Sequence, residues 1–450
     1  MNRFLLDDEP LPVPPVSSYQ RAIAAYDLAA RSADPGPCSA TFRSREDVLV
    51  EAKAVDERVR TGEDLPLAGL LVAVQDNATA VRRLGKAGAV IFATAGESLP
   101  DGAGTQDRPA ILDLVDAVTS GRLPTGYRDV AGLSPTRGLV PGLGPVAVLA
   151  RDVGIAQRAL AALTGPDDTD PSCRSWPAAV RFSAGEHPRV AVPRAAELGA
   201  LSPESRAALA ATADSLRAAG GVVTEIELAR GLPAWAARPA TLLRGHDALL
   251  MPAEAAEPAL ARILATFDTA AALLPGGPAG LAVVTRAFDD QIGIDLVAML
   301  TGVQAEGAYP ASGVDLVAFG GFLRGQPRNA ELAALGARFT GFAETAPRYR
   351  MVVLPGSPPE AGVVSVAGEG ASLLAERWLL SPAGLGRFLA GLRAPLMLGG
   401  VELAEGETVT GLLCDPVAAE EGEDISGYGC WRAYLRYLST RRPSALPAPC

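Results

Sequence analysis

The stretch Gly69-Leu70-Leu71-Val72-Ala73-Val74-Gln75-Asp76-Asn77 decides the fold class. An aliphatic run closed by glycine on one side and by three polar residues on the other is the pattern of a short buried strand. Open α/β sheets gather their chemistry beyond the carboxyl ends of such strands, so Gln75 stands where an active site is expected. Glutamine donates and accepts hydrogen bonds but is neither a base nor a nucleophile. The tip of the strand has the right place and the wrong residue.

The flanking sequence supports an α/β arrangement. Before this strand, Ser17 to Ala33 carries an Ala-rich helical pattern. Ser44 to Arg60 forms a second helix, with Ser44 as N-cap, Glu46 and Asp47 in the first turn, and Val48, Ala52, Val55 and Val59 on one face. After it, Ala80 to Ala87 is helical and Gly88 to Ala93 is another strand, and a helix is read around Pro109 to Val118. Asp152 to Leu163 is an Ala/Leu helix. The strand Arg189 to Pro193, the helix opened by Ser202-Pro203-Glu204 and the strand Val222 to Leu228 form an expected parallel crossover. Further strands are read at Asp247 to Pro252 and Gly280 to Thr285, and Asp289-Asp290 as N-cap and first acid of a helix reaching Leu300. The rest is mostly β: Arg348 to Leu354 and Gly362 to Val366 alternate, and GGVELAEGETVTGLL is a hairpin turning at Gly406. The expected division is an extended arm over 1–16, an α/β domain over 17–302, a linker over 303–314, a small β-rich domain over 315–440 and a tail over 441–450.

Length and composition narrow the partners. A chain of 450 residues with 48% hydrophobic content is long enough for two or three cores. A net charge of −11 argues against nucleic acid or an anionic membrane, both of which select basic patches. No apolar run reaches the roughly 18 to 20 residues of a spanning helix, and the N-terminus turns acidic too early for a signal peptide, so the cytoplasm is the expected location. Cys38, Cys173, Cys414, Cys430 and Cys450 are scattered without C-x-x-C spacing, and His187 and His246 are the only histidines. Neither a metal site nor a cofactor is expected.

Three segments, GLLVAVQDN, AGLSPTRG and GPVAVLARDVGIAQRALAALTGPDDTDP, resemble in order the amidase signature enzymes. The later segments AFGGFLRGQPRN, ELAALGARF, TAPRYRMVVLPGSPPEAGVVSV, AERWLLSPAGLGRFLAGLRAPLMLGG and DISGYGCWRAYL resemble allophanate hydrolase, which joins an amidase domain to a β-rich domain of the gamma-glutamyl-cyclotransferase type. The resemblance implies an α/β fold in which a shortened amidase-signature domain, a mixed sheet flanked by helices, precedes that small domain. It also implies hydrolysis of allophanate to ammonia and carbon dioxide through a serine nucleophile, a relay serine and a lysine base.

Carried over residue by residue, that centre is mostly vacant. The family lysine falls on Gln75, the serine-rich loops have no counterpart, and Ser134 replaces the lysine of the family's K-P-T-R-G. Ser98, Thr105, Thr119, Ser120, Thr125 and Ser134 occupy the right interval, but without a base each reads more simply as a turn or cap residue. The residues expected around a surviving pocket are Gln75, Asp76, Asn77, Thr125, Ser134, Thr136 and Arg137. In the small domain a family histidine falls on Phe322, while Gly320, Gly325, Pro327 and Asn329 persist. Glu376 matches the acidic residue of the cyclotransferase-type pocket, with a solvated strand-end glutamate as the alternative. The expected function is an allophanate hydrolase-like protein with a degraded Ser-Ser-Lys centre. The alternatives are a repurposed enzyme performing cyclisation, isomerisation or acyl transfer, a non-catalytic scaffold, or a hydrolase using other residues. The partners expected are a small carboxylate or amide, a second copy of the chain, or an active metabolic enzyme.

Overall fold

The structure, a computed structural model, describes residues 17–31, 40–96, 109–124, 127, 129–142, 144, 146–194, 196, 202–227, 243–253, 268–275, 280–303, 307–310, 312–356 and 358–441. They fall into two compact units, one drawn from Met1–Ser134, Gly138–Cys173 and Pro275–Gly280, the other from Pro135–Arg137, Arg174–Leu274 and Leu281–Cys450.

In the first unit, helix α1 (Ser18–Arg31) precedes strand β1 (Thr41–Phe42) and helix α2 (Arg45–Arg60). Strand β2 (Leu71–Gln75), helix α3 (Ala78–Lys86), strands β3 (Val90–Ala95), β4 (Ala117–Ser120), β5 (Ala131–Ser134) and β6 (Ala147–Ala150), and helix α4 (Val153–Leu163) follow. The strands lie in the order β1-β3-β2-β4-β6-β5. Parallel pairing joins β2 to β3 and β4, whereas β4 and β5 both run antiparallel to β6. Ser44 accepts a hydrogen bond from the Asp47 N–H, so α2 begins where its cap chemistry dictates. Val48, Ala52 and Val55 of α2 pack with Ala22 and Ala25 of α1 against Val90 and Phe92. Val59 does not join them; it is 44% exposed, because the apolar stripe ends a turn earlier.

The helix expected around Pro109 to Val118 is replaced by a 3-10 turn (Ala110–Asp113) leading into β4. Asp116 explains the switch. Its Oδ2 accepts the Leu71 N–H at 2.8 Å and its Oδ1 pairs with Arg21, which pins the chain beside β2 as β4 begins. Ala117 and Val118 then bond to β2 on one side and to β6 on the other. A strand buried on both faces shows no alternation, so its sequence does not distinguish it from a short buried helix.

The second unit opens with β7 (Arg189–Pro193), α5 (Pro203–Ala218), β8 (Val222–Ile226), β9 (Ala248–Pro252), β10 (Thr269–Leu274), β11 (Leu281–Arg286) and α6 (Asp290–Thr301). Its strand order is β10-β11-β9-β7-β8. Strand β7 is parallel to β8, as the crossover pattern predicts, and also to β9, while β11 is antiparallel to β9 and β10.

The β-rich part of this unit runs through β12 (Val314–Ala318), a 3-10 turn at Gly320–Phe322, α7 (Asn329–Ala334), β13 (Arg338–Glu344), β14 (Tyr349–Leu354), β15 (Glu360–Ser365) and β16 (Leu374–Leu380). It ends with α8 (Pro382–Gly391), β17 (Leu396–Glu402), β18 (Thr408–Cys414), α9 (Pro416–Glu420), β19 (Glu423–Asp424) and α10 (Trp431–Arg441). A five-stranded sheet in the order β13-β16-β12-β18-β17 accompanies a three-stranded one in the order β15-β14-β19. The β17–β18 hairpin turns at Gly406, whose φ of 87° favours glycine. One core contains Phe322, Trp378 and Phe388, and another Phe319, Tyr349 and Trp431. Among the described residues no helix is long and apolar enough to cross a membrane.

Candidate functional site

Gln75 ends β2 half-buried. Its N–H donates to Thr119 Oγ1 at 2.7 Å, so the hydroxyl at the end of the neighbouring strand is engaged with backbone. Thr119 and Ser120 are both buried in β4. Gln75 Oε1 is buried without a hydrogen-bond partner in the described structure. Leaving such an oxygen unpaired costs about 1–3 kcal/mol, and an N–H donor brought by a ligand would recover it. The Gln75 side chain can accept a hydrogen bond from an amide but cannot take a proton from a hydroxyl.

The polar residues after Gln75 build scaffold. Asp76 is exposed. Asn77 caps α3 by accepting the Ala80 N–H at 2.8 Å and donates from Nδ2 to the Gly142 carbonyl at 2.7 Å. The Gly142 N–H in turn donates to Asp170 Oδ2 at 2.6 Å. Asp170 also accepts the Ser172 N–H and hydroxyl, and Asp167 accepts those of Thr169, so the acidic run after α4 is a pair of side-chain-stabilised turns. The Thr169 hydroxyl and N–H hold the Asp167 carboxyl below its usual range, and the Gly142 N–H and Ser172 do the same for Asp170. Beside these turns a cleft of about 760 Å³ is lined by Arg82, Arg83, Lys86, Thr164, Asp167 and Thr169. Arg83 is committed to the Leu163, Gly165 and Pro166 carbonyls around the end of α4. Replacing Asn77 with alanine is expected to lower stability by about 1–2 kcal/mol, through loss of the cap and its tie to Gly142. Urea unfolding checks this.

Ser134 lies half-buried at the end of β5, and Arg137 is exposed. Thr125, Ser98 and Thr105 lie outside the described residues. Thr136 is fully buried and belongs to a different constellation, in the second unit. Its N–H donates to Asp290 Oδ1 at 2.7 Å, its hydroxyl donates to Asp290 Oδ2 at 2.5 Å, and its Oγ1 accepts the Phe288 N–H at 2.7 Å. Phe288 adopts a φ of 66°, a conformation costly for a bulky residue and held here by that bond. Burial drives the Asp290 carboxyl up to about 6 despite the two bonds from Thr136.

Asp289, expected as N-cap of α6, makes no side-chain cap bond. It takes Arg181 through Nε at 3.1 Å and Nη2 at 2.7 Å, and Arg286 at 3.0 Å. The paired arginines give a buried carboxylate more than a helix N-terminus can. Arg181 also reaches Asp247, which Arg189 shares. Burial opposes ionisation of Asp247, but the bonds from Arg189 and Arg181 outweigh it and hold its carboxyl below the usual range.

In the β-rich part, Phe322 is a core residue. It is fully buried edge-on to Phe388 at 5.2 Å, with the Arg328 guanidinium over its ring and the Asn329 side chain donating to its carbonyl. Gly320 has a φ of +60°, and a Cβ there would lie 2.6 Å from that of Ala361, so the turn needs glycine for close packing. Glu376 is in the middle of β16 and only 1% exposed, so it is not a solvated strand-end residue. Its Oε2 accepts the Arg324 N–H at 2.8 Å and its Oε1 accepts Arg432 Nη2 at 2.6 Å. Arg432 has no signal in the sequence beyond its place after Trp431 at a helix start; only the fold brings it to Glu376. Among the described residues no three His, Cys, Asp or Glu side chains are grouped to hold a metal ion.

Residues 314–436 match the allophanate hydrolase C-terminal domain family. A urea amidolyase of Lachancea kluyveri is 29% identical over a segment covering 29% of this chain and 7% of that protein. One chain of the glutamyl-tRNA(Gln) amidotransferase of Deinococcus radiodurans is 29% identical over 40% of this chain and 50% of its own. The protein thus spans at most half the length of these curated relatives. Among solved structures, the allophanate hydrolase of Kluyveromyces lactis superposes with a TM-score of 0.68 over 94% of this chain and 99% of that one, at 19% identity, a likeness of fold.

Proposed function

We propose that this chain, an allophanate hydrolase-like protein of the amidase signature type, keeps the fold of that enzyme without its amide-cleaving chemistry. One observation carries the reading: the end of β2 presents Gln75, whose side chain cannot take a proton and whose N–H ties up Thr119, the adjoining hydroxyl. Without a general base alone, a factor of about 10² to 10⁴ in rate is forfeited. The family reaction, hydrolysis of allophanate to ammonia and carbon dioxide in urea breakdown, is accordingly not this protein's own. The vacated pocket takes a small amide or carboxylate, and the chain serves in the cytoplasm as a binding or scaffolding homologue, alone or beside an active enzyme.

The test is covalent. Purified protein is mixed with excess allophanate, quenched in acid and weighed intact. The expected mass is that of the unmodified chain; an adduct on Thr119, Ser120 or any other hydroxyl contradicts the reading.

A second reading is favoured by the buried Glu376 ion pair: a repurposed activity or binding role in the β-rich part, acting on a small carboxylate. Glu376 and the glycine-containing turn at Gly320 to Gly325 are the residues such a role would use.

A further inference from the structure

The segment 176–186, just before β7, forms no helix or strand, yet its backbone is hydrogen-bonded into the β-rich part of the second unit. A segment without a ladder of its own must find partners elsewhere for the main-chain groups it buries. Phe182 is fully buried; its N–H donates to the Gly336 carbonyl at 2.8 Å and its carbonyl accepts Arg338 Nη1 at 3.4 Å. The Ala178 carbonyl accepts the Ala383 N–H at 3.0 Å, which satisfies an orphan donor in the first turn of α8. Position 336 needs glycine, since φ there is +70° and a Cβ would lie 2.7 Å from that of Arg181.

The same segment is held from the other side. Arg181 is tied to Asp247 and Asp289, which stand just before β9 and α6. Arg338 of β13 donates to both oxygens of Asp295 in α6 at 2.7 Å. Gln291, also in α6, donates to Asp295 and accepts the N–H of Tyr309, which is 1% exposed and packs edge-on against Trp176 at 5.2 Å. The connection from α6 to β12 is therefore anchored at Tyr309. Parts joined only by a flexible linker move relative to one another. Here main-chain bonds, two buried aromatic rings and the Arg338–Asp295 pair would have to part together.

We propose that the segment 176–186 is a strap that fuses the β-rich part to the strands β10-β11-β9-β7-β8 and α6, so that the two open and unfold as one cooperative unit. A ligand bound by either part then stabilises both, because the gain from binding is shared by everything that unfolds with the site.

Hydrogen exchange of the full chain, followed by mass spectrometry, tests this with a substitution outside the β-rich part. Ile292 is fully buried in α6 and belongs to neither core of the β-rich part. Ile292→Val is expected to speed the slowest-exchanging amides of β9 and β11 about fivefold, and those of β16 and β18 by the same factor. Faster exchange in β9 and β11 with no change in β16 and β18 would overturn the proposal. A urea series on the unaltered protein decides the matter if the variant does not fold or moves neither set. The slowest amides of both sets are expected to merge into one opening reaction with a single urea dependence. Two openings with separate urea dependences would overturn it as well.

Discussion

Replacing Asp290 with alanine is expected to destabilise the protein by about 3–4 kcal/mol. The carboxylate is the acceptor for both the N–H and the hydroxyl of Thr136, a residue with no exposure to water. Removing it strands two buried donors and leaves a void. The damage extends to Phe288, since Thr136 Oγ1 also accepts the Phe288 N–H and so supports its unfavourable φ of 66°. Denaturant unfolding measures the loss, and a cost below about 1 kcal/mol would show that the Thr136 donors find other partners.

Asp290 also gives stability a dependence on pH. Its carboxyl rises from an ordinary 3.8 to about 6 in the folded protein, with burial as the main cause. A group raised in this way binds its proton more tightly in the folded state than in the unfolded one. The stability it confers is complete below the unfolded value of 3.8 and is lost as pH climbs through about 6. The loss is on the order of 3 kcal/mol at most. Asp290→Asn keeps an acceptor for the Thr136 N–H and cannot ionise. Compared with it, the unaltered protein should lose relative stability between about pH 4 and 6.5. Parallel stability curves for the two proteins would contradict this, and the comparison removes contributions of opposite sign from groups such as Asp247.

Arg181→Met is expected to cost about 2–4 kcal/mol, toward the lower part of the range for breaking a buried ion pair. Arg181 bridges Asp247 and Asp289, two carboxylates almost without solvent contact. Each keeps one further arginine, Arg189 for Asp247 and Arg286 for Asp289, which moderates the loss. Arg189 is half exposed and screened, so its compensation is partial. Adding Asp289→Asn to Arg181→Met should restore part of the lost stability, because it removes a charge that has lost its main partner. A double variant as unstable as the sum of the two single ones would contradict that coupling.

Much of the fold was legible because the elements that carry it combine a simple pattern with a cap or turn. The β2 run, the Ser44 and Ser202 caps and the Gly406 hairpin all lie where their residues place them. The β4 and β10 strands were not legible, for the same physical reason. The β4 segment is buried on both faces and held by Asp116, and the β10 segment, Thr-Ala-Ala-Ala-Leu-Leu, is likewise buried throughout and rich in the best helix former.

The site divides in the same way. A single residue type is readable, so glutamine at the tip of β2 and phenylalanine at position 322 could be recognised from the chain alone. Partnerships across long separations are not. Thr119 on the Gln75 N–H, Asp290 under Thr136 and Arg432 on Glu376 are separated in sequence by 44, 154 and 56 positions. No local pattern announces them.

Ammonia release from allophanate by the purified protein tests the central claim most directly. Gln75 at the end of β2 predicts a rate indistinguishable from that of buffer, unchanged in Gln75→Ala. Sustained, saturable release that scales with protein concentration would contradict it and would require a base and nucleophile other than those of the amidase signature enzymes.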